Sequence, residues 1–445
     1  MSAAMTVGYG SVVLHVPEGV PMGGYLDRQG MSAGTLDPLE VSAVTWSDGE
    51  RRFALAVADV ICVNDDLAAR ARRAAGCELW LAATHTHAGP ETGCVPGGGA
   101  TPEPWLDLVA EAARAAVHRA VDSERPCEGV ALGGDLRGVG ADRSRPDAEA
   151  VVPLDVIAVV DGGLAGVVVV LPVHPTVLPA ANRRVSADLP GAVRRALRAR
   201  LGPDVWVVVA TGAAGDISTR HTRRGQDTTE LARLGALVAD RCVDLLTGAT
   251  ETAGSRPEAP GSRTEAAGPT AAAVGERVWG AGSGVAAVTR RVRLERATVP
   301  ADSEKLADDL RRAEAAGDPV AARLARSRLE GLRARTGYAR RADDVPSEAA
   351  SPTGSGTIGA EVGVARLGGL ALVGLPGEPF LAVADQIAGA APGPTVVLGY
   401  VNGYPGYLPT ADAYRRTEYE VLAGQVAEGS AELLAATARR LLAEG

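Results

Sequence analysis

The feature that most constrains the fold is an alternation of two patterns up to about residue 246. Apolar runs rich in β-branched residues alternate with Ala- and Arg-rich stretches whose apolar positions lie three or four residues apart. The first pattern predicts strands and the second predicts amphipathic helices, so the chain is predicted to have an α/β fold with strands covered on both faces. The predicted strands span 53–63, 77–84, 152–161, 164–173 and 205–212, and the predicted helices span 103–121, 191–201 and 228–246.

Two later stretches interrupt this pattern. Residues 248–275 are low in complexity and lack large apolar residues, which indicates a flexible excursion. Residues 301–341 are predicted to form a helical hairpin: Ser303 is the predicted N-cap of its first helix, and Asp318 followed by Pro319 suits the start of its second. The alternating charges of the hairpin predict a solvated face. Because the α/β pattern then returns, residues 1–445 are predicted to form one catalytic domain with two interruptions.

The charge balance excludes several function classes. A net charge of −9 leaves no general basic field that would attract nucleic acid or anionic lipid, so no nucleic-acid partner is expected. Lys305 is the only lysine and lies in a charged helical stretch, which argues against a P-loop lysine or a Schiff-base lysine.

The cysteines and the apolar runs bear on the cellular compartment. The five cysteines contain no CxxC pair, and their odd number argues against a complete disulfide framework. The first residues lack the pattern of a secretory signal, and no apolar run is long enough for a transmembrane helix. These observations predict a cytoplasmic protein without a transmembrane segment.

Five apolar runs end in a Gly- or Pro-containing turn that carries reactive side chains. Ligands bind at strand ends in α/β folds, so the recurrence predicts a site assembled from distant segments. The five segments are LWLAATHTHAGP, VVVVLPVHPT, VWVVVATGAAGDIS, LALVGLPGEP and VVLGYVNGYPGY.

His85 and His87 are the first candidates. Residues two apart on an extended strand point to the same side, so both imidazoles are expected to face one site. On their own they fit metal ligands, acid–base groups, or histidines bonded to backbone at the rim of a core. His174 in a second strand-end motif favours a metal, and zinc takes the imidazole nitrogens and the carboxylate that His85, His174 and Glu378 would supply. Alternatively, Glu378 begins the helix expected after Pro379.

Asp216 and Ser218 lie in a Gly-rich turn after a strand. Backbone N–H groups of such a turn can bind an oxyanion or a phosphate. Alternatively, Asp216 is an ordinary turn residue.

In combination, these motifs resemble the neutral ceramidases, zinc-dependent amidases that hydrolyse the N-acyl bond of ceramide. The resemblance implies an α/β catalytic domain with a mixed β-sheet core flanked by helices and an active site at the strand ends. The matching segments follow the family's order across almost the whole chain: GGYLDRQG, ATHTHAGP, ADRSRP, PVHPT, SADLPG, GAAGDIS, RLGGLALVGLPGEPF and GYVNGYPGYLPTADAYRRTEYE.

The resemblance also implies a metal site. One zinc ion per chain is expected, with His85, His174, Glu378 and Tyr407 as its ligands. Nothing in the spacing of YPGY itself distinguishes Tyr404 from Tyr407 as the ligand.

The remaining roles implied by the resemblance concern the reaction. His87 is expected to carry a proton from water to the leaving amine, and Tyr419 to donate a hydrogen bond to the carbonyl oxygen. Arg143 is expected to hold His87 or a polar substrate group, and Ser218 either positions the substrate or acts as the nucleophile. Asp188 and Asp216 are predicted to bind substrate.

The chain also departs from the family pattern. GDISTR stands in place of GDxSPN and HAGP in place of HSGP, and neither a secretion signal nor a C-terminal β-sandwich domain is expected. The expected function is zinc-dependent hydrolysis of a small N-acyl amide, ceramide-like or another N-acylated amine, by zinc-activated water, within sphingolipid or N-acyl amide metabolism. The alternatives are a zinc-dependent esterase, lactonase or deacylase of a soluble metabolite, a serine hydrolase using Ser218, and a non-catalytic zinc- or ligand-binding homologue.

Overall fold

The structure, a computed structural model of the chain, describes residues 5–97, 99–253, 275–297, 302–343 and 356–444. Its strands are β1 (Thr6–Leu14), β2 (Leu39–Ser47), β3 (Arg52–Ala58), β4 (Glu78–Ala83), β5 (Arg125–Pro126), β6 (Glu128–Arg137), β7 (Ala141–Asp142), β8 (Val151–Val160), β9 (Leu164–Leu171), β10 (Trp206–Thr211), β11 (Ile217–Ser218), β12 (Glu276–Trp279), β13 (Val285–Glu295), β14 (Thr357–Leu367), β15 (Leu370–Gly374), β16 (Glu378–Pro379), β17 (Thr395–Leu398) and β18 (Tyr407–Leu408). The five predicted strands are confirmed as β3, β4, β8, β9 and β10.

The helices of the described residues alternate with these strands. They are α1 (Asp65–Ala75), α2 (Trp105–Asp122), α3 (Asp188–Leu201), α4 (Thr228–Ala253), α5 (Ser303–Ala315), α6 (Pro319–Asp343), α7 (Leu381–Ala388), α8 (Ala411–Arg416), α9 (Tyr419–Ala423) and α10 (Ser430–Ala443), with a short 3₁₀ turn at Thr219–His221. The predicted helices are confirmed as α2, α3 and α4. Within the described residues, no helix has the length and apolar character needed to cross a membrane.

Three larger sheets form the framework. Their strand orders are β4-β3-β2-β1-β5, β10-β9-β8-β6-β12 and β13-β14-β15-β17. Each sheet is antiparallel except for one parallel pair at an edge: β3 with β4, β9 with β10, and β15 with β17. The sheets are therefore mixed, as the sequence resemblance implied.

The sheets share a central apolar core. Side chains of all three meet there, including Trp80 of the first sheet, Val168 of the second and Leu372 of the third. The opposite face of the first sheet packs on α1 and α2, that of the second on α3 and α4, and that of the third on α7 and α10. Strands covered on both faces explain the continuous apolar runs of the sequence.

The helical hairpin differs from the expectation at its first cap. Asp302, not Ser303, caps α5, because its side chain accepts the backbone N–H groups of Glu304 and Lys305. A solvated charged face is observed on α5, whose only buried residue is Leu306, and on α6, where Arg326 and Glu330 are exposed. Another face of α6 packs against α9, because Ala334 is buried in a cluster that includes Ala423.

The other interruption lies mostly outside the described residues. Residues 248–253 of the predicted excursion continue α4, and 254–274 lie outside the described ranges. All five cysteines are free thiols, in agreement with the expectation that no disulfide framework forms.

Candidate metal centre and catalytic pocket

The five motifs at strand ends follow the strands of the three parallel edge pairs. His85 follows β4, His174 follows β9, Asp216 follows β10, Glu378 follows β15, and the YPGY segment follows β17. Backbone hydrogen bonds join these ends across sheets, from the Ala83 N–H to the Tyr400 carbonyl and from the Gly399 N–H to the Thr211 carbonyl. Parallel neighbours end at the same edge of a sheet, so the topology brings the motifs together.

The two histidines of the HTH motif converge through a turn. The expectation that they lie on an extended strand is wrong, since β4 ends at Ala83 and His85 has a left-handed φ of 61°. The imidazole rings of His85 and His87 lie 4.9 Å apart at 83° to each other. Gly24 allows this, because a Cβ there would lie 2.5 Å from the His87 ring.

The backbone sets which nitrogens of His85 and His174 face the cavity. Nδ1 of His85 lies 2.6 Å from the Ile61 carbonyl oxygen, and Nδ1 of His174 lies 3.1 Å from the Ala214 carbonyl oxygen. A carbonyl oxygen only accepts, so both Nδ1 atoms donate, and in the neutral rings the Nε2 atoms carry lone pairs. These Nε2 atoms are 3.1 Å apart. Burial, followed by the charge of Arg143, lowers the pKa of His174 and keeps its ring neutral.

Glu378 completes this group. Its Oε2 lies 3.4 Å from Nε2 of His85 and 3.5 Å from Nε2 of His174, and it has no hydrogen-bond donor in the described residues. Its Oε1 accepts the hydroxyl of Tyr404 at 2.5 Å. Two imidazole lone pairs beside an unpartnered buried carboxylate oxygen repel one another unless a cation lies between them. The donor set of two nitrogens and one carboxylate therefore fits zinc.

The alternative role of Glu378 at a helix start is not observed. Helix α7 begins at Leu381, and the Leu381 N–H donates to Oδ1 of Asp216 at 2.8 Å. Glu378 instead lies in the short strand β16, which pairs with Tyr407 of β18.

His87 lies in the same cluster. Its Nε2 is 3.2 Å from Nε2 of His85, and its Nδ1 is buried with no hydrogen-bond partner in the described residues. Burial and then the nearby His85 and Arg143 lower its pKa, so the ring is neutral. The ligand nitrogens of His85, His87 and His174 all lie within 4.8 Å of one another. The division of the HTH pair into a ligand and a proton carrier stays a prediction.

The tyrosines around the cluster have different partners. Tyr404, which sequence reasoning did not select, holds Glu378. Tyr407 and Tyr419 both lie against the guanidinium of Arg143, whose central carbon is 5.3 Å and 5.5 Å from their ring centroids. The assignment of Tyr407 as a metal ligand stays a prediction.

Arg143 is held by a carboxylate that sequence reasoning missed. Its Nε donates to Oε1 of Glu420 at 2.6 Å, and its Nη2 donates to the Gly215 carbonyl at 2.7 Å. Burial opposes the charge of Arg143, but Tyr407, Glu420 and Glu378 outweigh burial and raise its pKa. The only sequence signal for Glu420 is its position directly after Tyr419, and the two acidic residues of TEYE form no recognisable motif.

Asp188 and Asp216, the predicted substrate-binding carboxylates, hold loops. Asp188 accepts the N–H groups of Val177 and Leu178, and burial raises the pKa of both carboxyls to about 7. Neither carboxylate lines the cavity.

One cavity of 1670 Å³ contains the other predicted residues. Those that line it are His85, His87, Arg143, His174, Ser218, Glu378, Tyr407 and Tyr419. Ser218 is buried, and its Oγ accepts the Arg220 N–H at 3.3 Å. Residues of α6, including Arg323 and Glu330, also line the cavity. The cavity thus has a buried floor at the strand ends and a charged mouth.

The solved structures that share this fold include two of ceramidases. The crystal structure of neutral ceramidase from Pseudomonas aeruginosa matches with a TM-score of 0.69 and 17% sequence identity over 100% of this chain and 75% of that chain. A ceramidase complexed with C2 matches with a TM-score of 0.69 and 17% identity over 99% of this chain and 74% of that chain. No family profile and no curated protein matches in sequence. The likeness confirms the predicted neutral-ceramidase-like fold.

Proposed function

We propose that this chain is a zinc-dependent hydrolase that cleaves N-acyl amides. The observation that carries the proposal is the convergence of the Nε2 atoms of His85 and His174 on the unpartnered Oε2 of Glu378. This donor set lies in a large cavity of a chain that has the neutral-ceramidase fold. Zinc and an amide substrate are therefore the best-supported pairing.

His85, His174 and Glu378 would hold the metal, with Tyr407 as the further ligand that the sequence resemblance implies. When bound, zinc polarises the acyl carbonyl and lowers the pKa of water. The backbone carbonyls of Ile61 and Ala214 orient the two imidazoles, which keeps their lone pairs directed at one point.

The other residues of the floor handle protons and charge. Neutral His87, with an unpartnered Nδ1, accepts a proton from water and returns it to the leaving amine. Burial, and after it nearby carboxylates, raise the pKa of Tyr419 to about 12, so its hydroxyl stays protonated and donates to the developing oxyanion. Arg143 keeps Tyr419 and Tyr407 in place by lying over both rings. In this reaction Ser218 positions substrate.

The test is metal analysis combined with a screen of N-acyl amides and the matching esters, on wild type and on His174→Ala. We expect about one zinc per wild-type chain, loss of hydrolysis with chelator, and recovery with zinc. His174→Ala should lose both metal and activity. The exposed His118 on α2 supplies the control variant His118→Ala, which should retain both.

Three results would contradict the proposal. These are wild-type protein without zinc, activity that survives in His174→Ala, and zinc-loaded protein inactive on every amide. Preference for the esters would instead identify an esterase or lactonase at the same centre. Chelator-insensitive activity lost in Ser218→Ala would identify a serine hydrolase.

The five free thiols support the predicted cytoplasmic location, which is part of this proposal.

A further inference from the structure

Three arginines converge at the mouth of the cavity from two separate elements. Arg220 and Arg223 lie in and just after the 3₁₀ turn that follows Ser218, Arg323 lies on α6, and all three line the cavity. Burial, followed by the positive charges of Arg143 and Arg323, lowers the pKa of Arg220. Burial also lowers the pKa of Arg223, and Arg323 again adds repulsion. Arg323 therefore lies close enough to both Arg220 and Arg223 to repel them.

Within the described residues, none of these three arginines forms an ion pair or a hydrogen bond with a carboxylate. Arg223 donates to the Thr176 carbonyl at 2.6 Å, which satisfies one N–H but supplies no negative charge. Glu420 and then Glu330 attract Arg220, and Tyr25 and then Asp188 attract Arg223, in each case without a hydrogen bond or ion pair. The cluster is therefore under-neutralised.

Other arginines at the cavity show the contrast. Arg143 is paired with Glu420 at 2.6 Å, and Arg326 on α6 is paired with Glu314 at 2.8 Å. The chain has 54 acidic and 45 basic residues, so carboxylates are in excess. Three arginines that line one cavity without a carboxylate partner in the described residues are consequently a local feature of the mouth and do not follow from composition.

A substrate without net charge would leave the guanidinium groups of Arg220, Arg223 and Arg323 without a counter-charge.

We propose that the substrate is an N-acyl amide with an anionic group, a carboxylate or a phosphate, which Arg220, Arg223 and Arg323 bind at the mouth while the amide lies at the metal floor. The inference rests on the proposed amide hydrolysis, whose substrate class it names. Planar guanidinium groups bind carboxylate and phosphate oxygens in pairs, and such charge-assisted hydrogen bonds are the strong ones. The anion also removes the repulsion among the three arginines.

The experiment compares three probes with one acyl group: N-hexanoylglycine, N-hexanoyl-2-aminoethyl phosphate and the neutral N-hexanoylglycinamide. Binding is measured by calorimetry on the full chain after chelator treatment, so that neither hydrolysis nor metal contributes. Hydrolysis is measured separately on the zinc-loaded protein. The variants are Arg220→Gln and Arg323→Gln. The control is Arg439→Gln, which removes an exposed arginine of α10 outside the cavity.

We expect wild type to bind at least one anionic probe about tenfold or more tightly than the neutral N-hexanoylglycinamide. Arg220→Gln and Arg323→Gln should each remove most of that preference, and Arg439→Gln should leave it unchanged. Wild-type preference should also fall as salt is added, a measurement that stands even if a variant fails to fold. The stronger of the two anionic probes identifies carboxylate or phosphate as the natural group.

The inference is overturned if wild type binds the neutral and anionic probes equally, or if the preference survives in both arginine variants. Failure of the proposed function gives a different result. Anionic preference in binding without hydrolysis of any probe would support the anion site and contradict the amidase. Hydrolysis of all three probes at equal rates and with equal binding would support the amidase and contradict the anion site.

Discussion

The floor and the mouth of the cavity differ in how their polar side chains are held. At the floor, His85, His174 and Glu378 are almost fully buried, and each is oriented by a backbone carbonyl or by the hydroxyl of Tyr404. At the mouth, Arg220 is half-buried and Arg323 is exposed, and neither has a carboxylate partner in the described residues. Under the two proposals above, the floor would set the reaction and the mouth would set the choice of substrate.

The two regions also come from different kinds of element. The floor is built from strand ends of three packed sheets, where any movement would disturb the core. The mouth is built from a 3₁₀ turn and helix α6, which packs on the short helix α9. Substitutions at the floor should therefore affect metal and catalysis, and those at the mouth should affect substrate affinity.

The largest effect is expected when the two histidines of the HTH motif, His85 and His87, are replaced and compared. His85→Ala should lose metal and activity, because its Nε2 lies against both His174 and Glu378. His87→Ala should keep most of its metal and lose activity by about a hundredfold or more, as expected for removal of a proton carrier. Metal content and kcat distinguish the two. Equal loss of metal in both variants would make His87 a ligand.

The next effect concerns Glu420, which joins the floor to α9. Glu420→Gln leaves the buried guanidinium of Arg143 without its counter-charge, and loss of one partner of a buried ion pair costs about 3 kcal/mol or more. We expect reduced stability in denaturant unfolding and a lower kcat. The exposed Glu428 supplies the control Glu428→Gln. Equal unfolding midpoints for Glu420→Gln and Glu428→Gln would show that the Arg143–Glu420 ion pair does not stabilise the fold.

A smaller effect, at the contact between α6 and α9, is expected from Gly331→Ala. The new Cβ would lie 2.7 Å from the backbone oxygen of Tyr419, so α6 must shift away from α9, at a cost of about 1–3 kcal/mol. KM should rise while metal content is unchanged. In Gly337→Ala on the same helix the Cβ meets nothing nearer than Leu26 at 3.8 Å, and that variant should be neutral or stabilised by up to about 1 kcal/mol. A change of metal content in Gly331→Ala would show that floor and mouth are coupled.

The smallest effect is a dependence of folding stability on pH, which comes from Asp216 and not from the arginines of the mouth. Burial raises the pKa of Asp216 from 3.8 to about 7, so the folded state favours the protonated carboxyl. Its contribution to stability is greatest below about pH 4, falls as the pH rises towards 7 and stays low above it. Asp216→Asn keeps an oxygen for the Leu381 N–H and should be less sensitive to pH over that range. Parallel unfolding curves for wild type and variant at pH 4.5 and 7.5 would contradict this assignment.

The fold and most of the cavity were predictable from the sequence, for reasons visible in particular residues. The continuous apolar run of β9 reflects a strand covered on both faces, and the motifs after β4, β9 and β15 carry the histidines and the carboxylate that meet in the structure. Asp318 with Pro319 correctly marked the start of α6, whose first N–H groups Asp318 accepts.

Other features were not predictable, because they depend on residues far apart in the chain. The left-handed conformation of His85 arises where β4 ends between two other sheets. The N–H of Leu381 finds its acceptor in Asp216, 165 residues earlier, and Arg143 finds Glu420, 277 residues later. The alternating charges of α6 are equally suited to solvent and to a cavity wall.

The sequence by itself determined the elements, their order and the chemical types of the site residues, because periodicity and turn composition act between near neighbours in the chain. Only the tertiary structure decided that Tyr404 supports Glu378, that Glu420 neutralises Arg143, and that three arginines meet at the mouth. These arrangements depend on how three sheets pack and where α6 crosses the cavity. Hydrogen bonds and charge interactions are set by distances between atoms, and packing alone brings those atoms together.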